Sequence, residues 1–241
     1  AAVGPMEDAW WMPTTLPPDI AFPQMVLVER ALPGSIIVNK KGRRFVNEAG
    51  PFPDVVRAQY ADNGKTGGSI PAYLIVDKGF RSKYPLSPML PGYTPKKYIR
   101  NGYVKMGNTI EELAQKCGID AAGLADEVAK YNKYAATGKD ADFHKGDSPA
   151  ERYFGDPAVS PNPCMGVIAA PPFSAVELWP GDIGTNGGLR VDASARVLRA
   201  DGSAIDGLYA VGNCADALTG NAYPGAGATI GISMVFGYIA A

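Results

Sequence analysis

The chain has 241 residues, with 23 basic and 24 acidic side chains and a net charge of −1. It has no long basic run, which argues against a nucleic-acid partner. No apolar stretch reaches the ~20 residues of a spanning helix. Glycine (29) and proline (21) demand many turns, while 46% apolar content excludes a disordered chain. Cys117, Cys164 and Cys214 are odd in number and lack zinc spacing. They read as free thiols in a reducing compartment, by default the cytoplasm, with no metal expected.

In chain order, Pro13, Pro17, Pro18 and Pro23 predict an extended segment unsuited to helix. Residues 25–28 are a short strand candidate. Residues 35–39 and 43–47 flank Lys40-Lys41-Gly42 and predict a hairpin. A short helix is expected over 54–60, capped by Asp54, and a strand over 72–77. Tyr84, Tyr93, Tyr98 and Tyr103, interleaved with prolines, could either wall an apolar cleft or pack an irregular segment. Thr109 opens a capping box and Asp120 caps a second helix, with Leu124, Val128 and Tyr131 on its apolar side. Residues 139–172 read as loop, and the single histidine, His144, as solvated within it. A strand follows over 173–178, then a hairpin of 188–191 with 196–198. A last strand ends at Gly212, and a helix runs from about residue 228.

The richest part of the chain is GLYAVGN (207–213) followed by NAYPGAGATIG (221–231). An apolar strand ends in Gly-Asn, and a glycine-rich turn then opens a helix. A helix start carries unpaired N–H donors and a positive dipole end, so it favours an anion or an electron-rich ring edge. Gly225 and Gly227 would let a ligand approach the backbone. Tyr223 adds a hydroxyl donor nearby.

This pattern resembles the C-terminal end of the 3-ketosteroid Δ1-dehydrogenases, within the fumarate-reductase-like flavoproteins. Three further motifs carry the same resemblance in order: Asp8-Ala9-Trp10-Trp11, GRRFVNE (42–48) and GDIGTNGGL (181–189). The resemblance implies a mixed α+β and α/β architecture. Residues 14–180 would be an inserted substrate (capping) domain. Residues 1–13 and 181–241 would belong to a discontinuous FAD-binding domain. No GxGxxG follows an early strand, so the chain is expected to be the C-terminal portion of a longer protein whose N-terminal FAD-binding part is its partner.

Members of this family desaturate a 3-ketosteroid through an enolate, with hydride passing to flavin N5. The resemblance makes the Tyr223 hydroxyl and the Gly227 N–H the donors to the ketone oxygen. It sets Ala228, Thr229 and Ile230 at the flavin pyrimidine edge, with Gly212 and Asn213 along the rest of the cofactor. The family's tyrosine base aligns with Phe52, which cannot take a proton. Asp54 or Tyr60 could replace it, the substrate could be another activated carbonyl compound, or the protein could be slow. Fumarate reductases carry a histidine before Thr-x-Gly-Gly, where this chain has Asp182-Ile183-Gly184. A dicarboxylate needs cations, so an uncharged apolar ketone is expected instead. A dehydrogenase or ene-reductase for another substrate and a non-catalytic steroid-binding fragment remain the alternatives.

Overall fold

The computed structural model describes residues 1–241. It divides into a continuous unit, Met12–Gly181, and a split unit formed by Ala1–Trp11 and Asp182–Ala241. The chain crosses between them within β1 (Ala9–Thr15) and again within β6 (Phe173–Thr185).

The continuous unit is built on a sheet whose strands also include β2 (Gln24–Met25), β3 (Ser35–Val38), β4 (Ala72–Val76) and β5 (Val104–Gly107). The strand order is β2-β1-β6-β4-β3, and β5 also pairs with β6. β4 is antiparallel to both of its neighbours, with Ile75 opposite Ile36 and Leu74 opposite Val176. All five β4 residues are buried, because both sheet faces are covered. Such a strand reads as a continuous apolar run rather than an alternation.

The two-residue period then divides its side chains between two cores. Tyr73 and Ile75 join Ile36, Val38 and Ala175 on one face. Ala72, Leu74 and Val76 join Ile37 and Val176 on the other. The first face is closed by α4 (Ile110–Cys117) and α5 (Ala121–Thr137), through Leu113, Leu124, Val128 and Tyr131. Both caps are those expected from sequence: Thr109 accepts from Glu112 N at 3.1 Å, and Asp120 accepts from Gly123 N. The second face holds Val55 of α1 (Phe52–Thr66) and Phe80 of α2 (Lys78–Lys83). The short helix α3 (Lys96–Arg100) precedes β5.

A buried ion cluster ties these layers together. Arg44 Nε donates to Glu48 Oε1 at 2.7 Å, and its Nη2 donates to Glu48 Oε2 at 2.7 Å and Asp140 Oδ2 at 2.6 Å. The Lys145 ammonium lies 3.7 Å from Glu48 Oε2 and donates to Ser35 O at 2.6 Å. All four charged side chains are fully buried. Burial pushes the Glu48 carboxyl up, yet the Arg44 and Lys145 charges hold it below its ordinary value. Arg44 also lies over the Tyr131 ring at 5.1 Å and the Phe143 ring at 4.9 Å.

Several expected elements take a different form. The strand over 25–28 shortens to β2, because Val28 O accepts the N–H groups of Ala31 and Leu32 and turns the chain. The second hairpin arm, 43–47, reduces to one bridge between Val38 and Arg44. Arg44 and Glu48 turn inward to meet each other there, which a regular strand pair would not permit. Helix α1 begins earlier and runs longer than 54–60. Pro51 is its N-cap, and Asp54 sits in its first turn, bonded to Arg57 at 2.8 Å. The stretch 139–172 contains α6 (Pro149–Tyr153), capped by Ser148. Pro13 falls within β1, so the proline-rich start is partly strand.

In the split unit the expected hairpin forms in part: Val191 bridges Val197, Leu198 N donates to Arg190 O at 2.9 Å and Asp192 N to Arg196 O at 3.0 Å, while β7 (Arg196–Leu198) also pairs with β8 (Ala204–Tyr209). Leu189 instead forms single bridges to Val3 and Ala215. The Asp192 carboxylate accepts from Ser194 N and Arg196 N, which fixes the turn between the two segments. The last strand stops at Tyr209. A 3-10 turn, Gly212–Cys214, then precedes α7 (Ala228–Ala240).

Arg44→Ala would leave two buried carboxylates short of their main cation. It is expected to cost about 3–5 kcal/mol of stability, measured as a lowered urea midpoint.

Candidate active site

Two of the sequence motifs meet inside the split unit through backbone approaches that only glycine permits. A Cβ on Gly188 would lie 2.1 Å from Cys214 O, and one on Gly187 would lie 2.2 Å from Pro5 O. A Cβ on Gly184 would lie 2.8 Å from the Asn213 amide nitrogen. Thr185 Oγ1 donates to Asn213 O at 2.8 Å. The segment Gly184-Thr185-Asn186-Gly187-Gly188 therefore cradles the turn that carries Gly212 and Asn213. Gly212 has φ +64, and a Cβ there would lie 2.5 Å from Ser233 Oγ on α7, so this glycine sets how closely α7 approaches the turn.

Trp10 links the parts. Its Nε1 donates to Asn213 Oδ1 at 3.3 Å, and its ring meets the Tyr223 ring edge-on at 5.9 Å. Trp10 is buried and Tyr223 half-buried. Burial pushes the Tyr223 phenol above its ordinary 10.0. The group thus stays protonated at neutral pH.

Helix α7 starts without a side-chain cap. Its N-cap is Gly227, at φ +86. The first N–H to bond back into the helix is that of Gly231, to Gly227 O at 2.7 Å. The Ala228 N–H reaches Gly225 O only at 3.3 Å. Cβ atoms placed on Gly225, Gly227 or Gly231 would meet nothing within 4 Å. The helix mouth is thus open, with donors and a positive dipole end facing outward. No residue of α7 is buried, and Ile230, Met234 and Tyr238 are exposed.

A cleft of about 510 Å³ lies in this unit, lined by Trp10, Asn186, Asn213, Thr219, Thr229 and Phe236 among others. Of the residues expected at the site, Gly212, Asn213 and Thr229 line the cleft. Tyr223 joins this group through Trp10, while Gly227, Ala228 and Ile230 form the helix mouth and its first turn. Two members went unnoticed in the sequence. Asn186 donates to Gly220 O at 3.2 Å, but its Oδ1 is buried without a partner, as is Thr219 Oγ1. The polar residue between Thr185 and two glycines was the only available signal.

Phe52 belongs to the continuous unit, buried in the first turn of α1. Its position follows from the ion cluster's neighbour Arg30. That guanidinium donates to Gly50 O at 2.6 Å and also to Glu48 O, fixing the turn that enters α1. Asp54 is engaged by Arg57, and Tyr60 is 46% exposed. Neither residue offers a secluded proton acceptor in this chain.

Comparison with known proteins fits this geometry. A family model described as FAD binding domain matches residues 1–230. The 3-oxosteroid 1-dehydrogenase of Mycobacterium tuberculosis is 43% identical over the whole chain, which spans 43% of that protein. The 4-oxocyclohexanecarboxylate 2-dehydrogenase of Sinomonas cyclohexanicum is 38% identical over 97% of the chain and 41% of its own length. Among solved structures, the 3-ketosteroid delta1-dehydrogenase of Sterolibacterium denitrificans in complex with 1,4-androstadiene-3,17-dione superposes with a TM-score of 0.96. It is 43% identical, over 100% of this chain and 43% of that one. An open flavocytochrome c3 fumarate reductase gives a TM-score of 0.57 at 27% identity, covering 100% of this chain and 37% of that one.

Gly188→Ala would force a methyl group against the Cys214 carbonyl. It is expected to destabilise the split unit by about 1–3 kcal/mol, seen as a lower midpoint in urea unfolding followed by tryptophan fluorescence. The chain spans less than half the length of the relatives it matches, is similar to 3-oxosteroid 1-dehydrogenases, and belongs to the FAD binding domain family.

Proposed function

We propose that the chain supplies the substrate domain and the C-terminal FAD-binding portion of a flavin-dependent dehydrogenase acting on 3-ketosteroid-like ketones. On this reading the continuous unit is the capping domain, and the split unit is part of a discontinuous FAD-binding domain. The open mouth of α7 beside a protonated Tyr223 carries the reading.

These residues fit a flavin. The pyrimidine edge of the ring is electron-rich and gains negative charge on reduction, which suits the dipole end at Ala228, Thr229 and Ile230. Gly212 and Asn213 line the adjoining cleft, where the rest of the cofactor would pass. When bound, FAD supplies the hydride acceptor. The exposed apolar side of α7 supports a neighbour in the longer protein, as the relatives' greater length suggests.

The chain's own residues act on the carbonyl. Removing a proton beside a ketone builds negative charge on its oxygen. Donors aimed at that oxygen stabilise the enolate more than the ketone and so lower the barrier. Tyr223 would give its hydroxyl and Gly227 its N–H. Phe52, at the position of the family's base, is a buried apolar residue and offers no proton acceptor.

The 38% identity to the 4-oxocyclohexanecarboxylate enzyme favours a second reading, in which the ketone is a smaller ring compound. Turnover of cyclohexanone derivatives but not of 3-ketosteroids by the full-length protein would select it.

Tyr223→Phe in the FAD-loaded full-length protein is expected to lower kcat by about 10²–10³, assayed by steroid-dependent reduction of an artificial electron acceptor. An unchanged kcat would remove Tyr223 from the mechanism. Phe52→Tyr is expected to raise the rate by about 10²–10⁴ in the same assay, because it restores a proton acceptor.

A further inference from the structure

Charge is distributed unevenly along this near-neutral chain. Between Lys78 and Ile110 every charged side chain is basic: Lys78, Arg81, Lys83, Lys96, Lys97, Arg100 and Lys105. No aspartate or glutamate interrupts them until Glu111. Within the continuous unit this stretch also exposes apolar side chains. Leu90 is 72% exposed and Tyr93 63%, with Ile99 also in the open.

Several contacts gather the exposed residues into one region. Arg81, itself buried, donates to Leu90 O at 2.9 Å and Tyr93 O at 2.8 Å, and so fixes the backbone of the loop that presents those side chains. Lys97 of α3 pairs with Asp19, which joins α3 to the segment carrying exposed Leu16 and Phe22. Tyr103 donates its hydroxyl to Ser87 O at 2.5 Å and accepts from Thr15 Oγ1 at 2.8 Å, tying the same loop to β1. β1 pairs in turn with β2, whose Met25 is exposed.

We propose that this face of the continuous unit, centred on Leu90, Tyr93 and the basic helix α3, docks on an anionic lipid surface. The charge pattern is complementary to acidic headgroups, with Lys96, Lys97 and Arg100 exposed and Lys97 paired with Asp19. The interleaved leucine, isoleucine and aromatic side chains suit the boundary between headgroups and acyl chains, where long basic side chains can keep their charges at headgroup level. A nucleic acid would match the charge but would leave the aliphatic side chains unused. No helix is long and apolar enough to cross a membrane, so the contact is peripheral. The proposal does not depend on the enzymatic reading, because it rests on surface chemistry of the continuous unit alone.

Flotation with phosphatidylcholine vesicles, with and without 30% phosphatidylserine, tests it on the chain as it stands. Binding is expected only with the anionic lipid, and it should weaken as salt rises. Lys96→Glu/Arg100→Glu and, separately, Leu90→Asp/Tyr93→Ser should each reduce binding about tenfold or more. These positions are exposed, and circular dichroism would verify that folding is retained. Absence of binding overturns the proposal. So does binding that neither double variant alters, since α7 would then be the surface responsible. Variants that change the self-association of the lipid-free protein would instead assign the face to contact between copies. Equal binding to soluble RNA, independent of Leu90 and Tyr93, would also reject a lipid partner.

Discussion

The ion cluster of Arg44, Glu48, Asp140 and Lys145 is the constraint on which the continuous unit depends. Four charges removed from water are costly unless each meets a partner with good geometry. Here Arg44 meets both carboxylates, and Lys145 lies beside one of them. Glu48 adds a backbone contact, accepting the Ile37 N–H of β3 at 3.1 Å. The cluster therefore fixes how the GRRFVNE segment lies against the sheet and α5. Together with the Arg30 contacts to Glu48 O and Gly50 O, it sets where α1 begins. The location of Phe52 follows from charges several residues away.

The split unit uses a different device. It has few buried apolar side chains, the main cluster being Val197, Ala210 and Ala215. Its order comes from backbone packed closely on backbone. Gly187 and Gly188 lie against carbonyls, and Gly184 and Gly212 lie against polar side chains. Each close approach removes freedom from a loop that would otherwise move. The result is a turn at Gly212 and Asn213 held from one side by Thr185 and from another by α7. This arrangement leaves the first turn of α7 uncapped and open.

The elements read most directly from sequence were those fixed by local rules. The Thr109 and Asp120 caps, the apolar run of β4 and the helix after Gly227 are local features, and they occur where the residues predict them. Errors clustered where a distant partner decides. The arm 43–47 has the look of a strand, but Arg44 turns to Asp140, 96 positions away. Arg190 and Val191 meet 196–198 as the expected hairpin, but Leu189 bridges the distant Val3 and Ala215. Trp10 is visible in sequence only as an aromatic in a motif, while its bond to Asn213 spans 203 positions.

The sequence by itself determined the family, the capped helices, the central strand and the glycine-rich helix start. Motif order and local backbone preference are written in neighbouring residues. Only the tertiary structure decided that GRRFVNE is an internal ion cluster and that the Gly184–Gly188 segment cradles Asn213. It alone revealed the unpartnered atoms of Asn186 and Thr219 beside the cleft. Burial, charge pairing and close backbone approach depend on which distant segments meet, and one-dimensional spacing carries no record of that.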